Sequence, residues 1–316
     1  MLKTTARIAL AAALGCIHLA AVAAETEAER APDVFYVNPD SNAAHWVNAH
    51  PTDGRTGAIR SAISSKPTAL WFGDWNTDVR SAVDQYVSAA AALKQVPVVV
   101  AYNIPHRDCG QYSKGGAASA ADYEKWISRF IDGIGSRKAV MILEPDGLAL
   151  MDCLSADDQA QREQLLQYAV GYAHSHATQT RVYLDAGHSG WLHSTEAARR
   201  LAAAGVAQAR GFSLNVSSYG TTGANEAYGK LVAAALLKQG ATSHFVIDTG
   251  RNGNGPSGTE WCDVPGRKIG TPATDYVDND GLDMVLWIKP PGNADGCAAA
   301  AGTFSPDLAY KLVYGY

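Results

Sequence analysis

The β-rich run AVMIL (139–143) within AVMILEPD (139–146), the helical pattern ADDQAQREQLLQYAVGYAHSH (156–176) and the apolar run RVYL (181–184) together decide the fold class. A β-rich run, a helix and a second β-rich run in this order indicate a βαβ unit. The two strands of such a unit are parallel, because the crossover helix returns the chain to the same end of the sheet. Residues 139–184 therefore predict one unit of an α/β protein.

The same alternation continues along most of the chain, at intervals of about 30 to 45 residues. The other β-rich runs are 34–37, 69–72, 96–102, 211–214, 244–247 and 284–288. The other helical patterns are 78–94, 120–135, 194–204 and 224–239. Seven or eight parallel strands of this kind predict a (β/α) barrel, and no linker or change in composition divides the chain into two domains.

The composition favours one large folded domain. The chain has 316 residues, of which 47% are hydrophobic and 18% are charged, so it can bury a sizeable core, and this composition excludes disorder and a coiled coil. The net charge is −5, from 31 acidic and 26 basic residues, which gives no electrostatic basis for binding nucleic acid or an anionic membrane. The expected partner is small or neutral.

The N-terminus has the pattern of a secretory signal peptide. Lys3 and Arg7 precede the apolar run 8–24, which ends in small residues that resemble a cleavage site. A transmembrane anchor is the alternative, but about 17 weakly apolar residues lie at the short limit for a span. We therefore expect a signal peptide at 1–24, a mature catalytic domain at 25–316, and an extracellular or periplasmic location with no membrane attachment.

The cysteine count agrees with export. Removal of the signal peptide would remove Cys16 and leave four cysteines, an even number that suggests two disulfides. Four cysteines allow three pairings. We favour Cys109 with Cys153 and Cys262 with Cys297, since each pair would close one excursion between neighbouring strands. A zinc site is the competing use, but no C-x-x-C or H-x-x-x-H spacing is present.

Polar residues follow the predicted strands at their carboxyl ends, where a parallel barrel gathers its catalytic groups. These residues are Asn103, Asp108, Glu144, Asp146, Asp185, His188, Asn215, Asp248 and Lys289. Each could instead cap a helix or form a turn. Such residues at six successive strand ends favour a catalytic rim.

Two of the candidate acids, Asp108 and Asp295, lie within two residues of a cysteine, and disulfides there would fix the loops that carry them. Acids on one rim, with His188 as a nitrogen ligand, could also bind a metal ion. No further histidines stand at ligand spacing, so we expect no metal.

Aromatic residues lie near the same strand ends: Trp71, Trp75, Tyr102, Trp191 and Trp261. Their flat apolar rings with a polar edge suit the face of a sugar ring, although core packing is the alternative use. Trp287 lies inside an apolar run and is predicted to belong to the core.

Residues 253–258 match G-x-G-x-x-G after a strand, but the following residues do not form a helical pattern. A dinucleotide fingerprint needs a helix N-terminus there, so no nucleotide cofactor is expected.

Several longer motifs occur together in a fixed order. They are YNIP (102–105), RDC (107–109), LEPD (143–146), DAGHSGW (185–191), WIKPPG (287–292) and DGC (295–297). With them, the chain from about residue 34 to its C-terminus resembles glycoside hydrolase family 6, the secreted cellulases that comprise endoglucanases and cellobiohydrolases.

The resemblance implies a distorted parallel barrel, hydrolysis of β-1,4-glucan with inversion, the sequential disulfide pairing and no cofactor. It implies that Asp146 is the general acid, that Asp108 raises the pKa of this acid, and that Asp295 is the base, directly or through a water chain. The residues implied to contact glucan are Tyr102, Asp185, His188, Trp191, Asn215, Trp261 and Lys289, to which the aromatic pattern adds Trp71.

Within this family, long loops roof the cleft of cellobiohydrolases, whereas residues 266–283 leave little room for a roof. We therefore expect a monomeric endoglucanase that acts on cellulose or soluble β-glucan. A cellobiohydrolase, a non-catalytic glucan-binding relative and a metal-dependent barrel hydrolase are the alternatives. One departure from the family pattern is Asn293, where a glutamate is usual.

Overall fold

The computed structural model describes residues 31–276 and 280–316, so the signal peptide predicted at 1–24 lies outside the described residues. The strands are β1 Leu70–Phe72, β2 Val98–Ala101, β3 Ala139–Leu143, β4 Thr180–Asp185, β5 Gly211–Leu214, β6 His244–Asp248, β7 Thr274–Asp275 and β8 Leu282–Leu286. The helices are α1 Asn42–Ala49, α2 Thr56–Ile59, α3 Val79–Ala92, α4 Ala120–Ile134, α5 Ala156–His176, α6 Ser194–Ala203, α7 Thr222–Leu237 and α8 Pro306–Tyr314.

The strands form one eight-stranded sheet in the order β1-β2-β3-β4-β5-β6-β8-β7. All neighbours are parallel except β7, which pairs antiparallel with β8. At the seam between β8 and β1, the Ala69 N–H donates to the Trp287 carbonyl at 3.0 Å and the Trp71 indole N–H donates to the Ile288 carbonyl at 2.8 Å. The prediction of a distorted parallel α/β barrel in a single domain is confirmed.

The helices start where hydroxyl side chains cap them. The side-chain oxygens of Ser119, Ser155, Thr221 and Ser305 each accept a hydrogen bond from a backbone N–H in the first turn of α4, α5, α7 and α8. Such caps typically stabilise a helix by about 0.5–2 kcal/mol. They fix where each helix begins after its loop, and therefore how long that loop is.

The core has two layers because both faces of the central strands are covered. Phe130, Phe212 and Phe245 pack in the larger cluster, which includes buried residues of the outer helices, whereas Ile142 and Met284 belong to a second cluster of alternating strand residues. The sequence of a strand that is buried on both faces is a continuous apolar run, as in AVMIL at 139–143. Trp287 is buried, as predicted.

The N-terminal strand predicted at 34–37 is reduced to one bridge between Phe35 and Val96. α1 and α8 lie where the sequence suggested no element. Among residues 31–276 and 280–316, no helix is long and apolar enough to cross a membrane.

Candidate active site

Buried carboxylates at the ends of β3 and β4 hold the loops that follow the preceding strands. Glu144 accepts hydrogen bonds from the backbone N–H groups of Asn103 and Ile104 at 2.9 to 3.0 Å, and so fixes the loop after β2. Asp185 accepts a hydrogen bond from the backbone N–H of Asp146 at 2.9 Å, and so fixes the loop after β3. Each loop therefore takes its position from a side chain of the next strand.

The carboxylate of Asp248 does the same at the end of β6. It accepts from the backbone N–H groups of Gly250 at 2.8 Å, Lys289 at 2.9 Å, Ser217 at 3.1 Å and Ile288 at 3.2 Å. Burial raises the pKa of Asp248 to about 6, although these hydrogen bonds oppose the rise. The loops after β5, β6 and β8 thus meet at one buried group.

Asp146 lies at the centre of the rim, on the loop after β3. Its φ is +64°, a left-handed conformation that is uncommon outside glycine. Its pKa is raised well above the ordinary value, first by burial and then by the negative charges of Asp185 and Asp108. Both effects favour the protonated form of this carboxyl group, which is the form that a general acid needs.

Asp108 lies in a short 3₁₀ turn after β2, where Asp108 and Cys109 both have positive φ. Its Oδ2 accepts a hydrogen bond from the Ser113 backbone N–H at 2.6 Å, and burial raises its pKa. The Cys109–Cys153 disulfide joins this turn to the loop that follows Asp146, with Cα atoms 6.1 Å apart. The two acids are therefore carried by loops that are covalently connected.

Asp295 is buried between two cations. Its Oδ2 lies 2.7 Å from Arg251 Nη1, and its Oδ1 lies 3.0 Å from Lys289 Nζ. Burial alone would raise the pKa of Asp295, but the positive charges of Arg251 and Lys289 outweigh burial and hold the pKa below its ordinary value. This carboxylate is ionised, and both of its oxygens are engaged.

The second disulfide, Cys262–Cys297, joins the loop after β6 to the loop after β8, with Cα atoms 5.9 Å apart. Beside it, Asp263 accepts a hydrogen bond from the Asp295 backbone N–H at 2.7 Å and another from the Cys297 N–H at 3.0 Å. The Asp263 N–H in turn donates to the Asp295 carboxylate at 3.1 Å. The backbone and the side chain of Asp295 are both fixed in this way.

A cavity of about 650 Å³ runs along one side of the rim. Trp71, Tyr102 and Lys289, all predicted to contact glucan, line this cavity. The rings of Trp71 and Tyr102 meet edge to face, with centroids 5.0 Å apart. Burial raises the pKa of Tyr102 well above its usual range, and the charges of Asp146 and Asp108 raise it further, so the phenol stays neutral beside the acids.

Three other predicted residues lie outside this cavity and carry exposed or partly exposed rings. His188 and Trp191 have ring centroids 5.4 Å apart on the loop after β4, and burial lowers the pKa of His188. Trp261 is exposed and contacts Tyr112, with centroids 5.9 Å apart. These rings offer stacking surfaces on the loops after β4 and β6.

Asp185 and Asn215 are placed beneath the rim rather than on its surface. Asp185 is 1% exposed and Asn215 is 0% exposed. Asp185 accepts from the Ser213 hydroxyl at 3.0 Å, and the Asn215 amide donates to the Asp248 carbonyl at 2.8 Å. Their side chains support the loops that reach the cleft.

Sequence reasoning missed three residues that shape the site: Arg107, Tyr112 and Arg251. Arg107 is buried and donates to the Tyr102 carbonyl at 2.8 Å, while Tyr112 lines the cavity. Arg107 and Arg251 both lie in the rim loops, and this position in the sequence could have identified them as candidate site residues. The carboxylate partner of each arginine lies in another segment, Asp74 for Arg107 and Asp295 for Arg251, so the pairing could not be read from spacing.

Among residues 31–276 and 280–316, no three His, Cys, Asp or Glu side chains are grouped so as to hold a metal ion.

Comparison with known proteins gives one consistent result. The family model "Glycosyl hydrolases family 6" matches residues 31–309. Endoglucanase 1 of Streptomyces halstedii is 47% identical over 289 residues, which cover 89% of this chain and 89% of that protein. Endoglucanase A of Thermobispora bispora is 45% identical, over 98% of this chain and 68% of its own.

The structure of the endoglucanase Cel6 from Mycobacterium tuberculosis, in complex with a methyl-cellobiosyl-4-deoxy-4-thio-β-D-cellobioside, matches with a TM-score of 0.84 at 39% identity. The match covers 90% of this chain and 97% of that one. A probable 1,4-β-D-glucan cellobiohydrolase C of Aspergillus niger is more distant, at 29% identity.

Proposed function

Because the chain belongs to glycosyl hydrolases family 6, as its motifs predicted, we propose that it is an endo-β-1,4-glucanase that cleaves internal bonds of β-1,4-glucan with inversion. The observation that carries this proposal is that the pKa values of two carboxyl groups on one rim are shifted in opposite directions. The pKa of Asp146 is raised, whereas the pKa of Asp295 is lowered. Two acids whose environments push their pKa values apart are suited to the roles of acid and base.

In the proposed reaction, the proton of Asp146 passes to the glycosidic oxygen as the bond from that oxygen to the anomeric carbon breaks. Asp108 assists because its charge keeps the pKa of Asp146 high. Tyr102 lies close enough to both acids to be affected by their charges, and so it would border the sugar ring at the cleaved bond.

A water molecule attacks the anomeric carbon from the face opposite the leaving group, which inverts the configuration. Asp295 is our candidate for the group that finally receives the proton of this water. Its oxygens are held by Arg251 and Lys289, and the residue is 7% exposed. We therefore assign proton transfer through an intervening water rather than direct contact.

Endo action is favoured over exo action by the relatives, since those named endoglucanases are 38 to 47% identical and the cellobiohydrolase of Aspergillus niger is 29% identical. A β-1,4-glucan chain suits the cavity because Trp71 and Tyr102 provide ring faces and Lys289 provides a hydrogen-bond donor.

Export is part of the proposal. Residues 1–24 would be the signal peptide and 25–316 the mature catalytic domain. Two disulfides are consistent with an oxidising compartment outside the cytoplasm.

The test is viscometry of carboxymethylcellulose with parallel counts of reducing ends. We expect viscosity to fall steeply for few ends produced, because internal cleavage shortens the polymer quickly. The Asp146→Asn variant should lose this activity, while the exposed Asp157→Asn variant on α5 serves as a matched control. A wild-type protein without turnover on any soluble β-glucan would overturn the proposal, and a slow fall in viscosity with many ends would indicate exo action.

A further inference from the structure

A second tryptophan lines the cavity. Trp75 lies in the same lining as Trp71 and Tyr102. The aromatic pattern of the sequence included Trp75, but the residues implied to contact glucan did not. Trp75 is 54% exposed, whereas tryptophan is on average largely buried in folded proteins. A single exposed aromatic ring is ordinary on a protein surface, but this ring lines a cavity that could hold a ligand.

A tight turn directly after β1 holds Trp75 in this position. The Asn76 backbone N–H donates to the Gly73 carbonyl at 3.1 Å, and the Asn76 side-chain oxygen accepts from the Gly73 N–H at 3.0 Å. The ring lies against Gly73 so closely that a Cβ at this position would overlap it. The indole is therefore fixed in advance, with little side-chain entropy left to lose when a ligand binds.

Arg107 contacts the rings of both Tyr102 and Trp75. Its guanidinium carbon lies 4.7 Å from the ring centroid of Tyr102 and 5.4 Å from the ring centroid of Trp75. The charges of Asp146 and Asp108 raise the pKa of Tyr102. Arg107 covers part of the indole, and the remaining ring surface is open to the cavity.

Polar groups also line this cavity. Asp40, Asn42 and Lys114 are exposed residues on its wall, and they provide both hydrogen-bond acceptors and donors. An aromatic face together with convergent polar side chains is the combination that recognises a sugar ring and its hydroxyl groups.

We propose that Trp75 is the stacking platform of an additional glucosyl-binding subsite, farther from Asp146 than Trp71 and Tyr102 are. The occupant is one further glucosyl unit of the same β-1,4-glucan chain, because the platform is continuous with the cleft. This inference rests on the proposed function. The subsite makes the enzyme favour chains long enough to reach Trp75, and it changes which bond of an oligosaccharide is cut first.

The test compares cello-oligosaccharides from cellotriose to cellohexaose. For the wild-type protein, kcat/KM should rise at the chain length that first reaches Trp75. Trp75→Ala should reduce that rise by about five- to tenfold, a typical effect of losing an aromatic contact, and should change the ratio of initial products. Trp75→Phe should keep most of the rise, since it retains a ring.

Tyr314→Ala is the matched control, because Tyr314 is 53% exposed on α8 and does not line the cavity. If Trp75→Ala keeps the wild-type dependence on chain length, or lowers kcat/KM equally for every length, the subsite is refuted and the proposed function stands. If the wild-type protein cleaves none of the oligosaccharides and no soluble glucan, the proposed function fails first.

Discussion

The backbone N–H of Asp146 donates a hydrogen bond to Oδ2 of Asp185 at 2.9 Å, and the charge of Asp185 is second only to burial in raising the pKa of Asp146. One buried side chain therefore positions Asp146 and favours its protonated form. Burial raises the pKa of Asp185 itself to about 7. Because the charge of Asp185 acts on Asp146, a change at Asp185 should be visible in the pH dependence of Asp146.

Asp185→Asn should lower the pKa of Asp146, because the substitution removes a neighbouring negative charge and keeps an oxygen that can accept the hydrogen bond. A general acid acts only while protonated, so the alkaline limb of the kcat profile should move to lower pH. The measurement is kcat on soluble β-glucan across pH, with Asp157→Asn as control. An unchanged alkaline limb would contradict the coupling.

Asp146→Ala should lower turnover on polymeric glucan by about 10²- to 10⁴-fold, the usual contribution of general acid catalysis. The loss should be much smaller on an aryl cellobioside whose leaving group departs without a proton. Steady-state rates on both substrates check this expectation. Equal losses on the two substrates would assign Asp146 a structural role only.

Proton NMR of the first product released from a soluble cello-oligosaccharide should detect the α-anomer before mutarotation. Inversion of a β-linkage requires this result, whereas a retaining enzyme would release the β-anomer. Early β-anomer would refute the roles assigned to Asp146 and Asp295.

Asp295→Asn should destabilise the fold as well as slow the reaction. The substitution leaves Arg251 buried without its anionic partner, and breaking a buried ion pair typically costs about 3–5 kcal/mol. Chemical denaturation gives the free energy of unfolding, and the midpoint should fall clearly below the wild-type value. If the variant reacts slowly but is as stable as the wild-type protein, Asp295 contributes to catalysis but not to the stability of this region.

Reduction of the two disulfides should inactivate the protein before it unfolds completely. A disulfide typically contributes about 2–4 kcal/mol, and these two hold the loops of Asp108 and Asp295. Activity and far-UV circular dichroism should be followed together during reduction. Full activity of the reduced protein would show that other contacts suffice to hold the loops.

The regular part of the fold could be predicted because its signals are local. β3 and α5 have the predicted bounds, since an apolar run ends at Glu144 and an uninterrupted helical pattern follows Ser155. α1 was missed because its eight residues form only about two turns, too few for an apolar period to be recognised, although Ser41 caps it. β7 has two residues, which is too short for any periodicity to register.

The acids of the site could be predicted because carboxyl groups at the ends of parallel strands converge on one rim. The environment of these acids could not be predicted from the sequence. The pairing of Asp295 with Arg251 joins loops 44 residues apart, and only the folded chain brings them together. The same limit applies to Asp185, whose position after a strand was evident but whose complete burial depended on the loops above it.

The buried carboxylates at the strand ends have a consequence for engineering the enzyme. Glu144, Asp185 and Asp248 each lie at the end of one strand and fasten a loop that follows another. A loop transplanted from a relative would therefore arrive without the anchor that sets its shape. Loops of this barrel should be exchanged together with the neighbouring strand that carries the anchor, so the natural unit of recombination is a pair of adjacent βα segments.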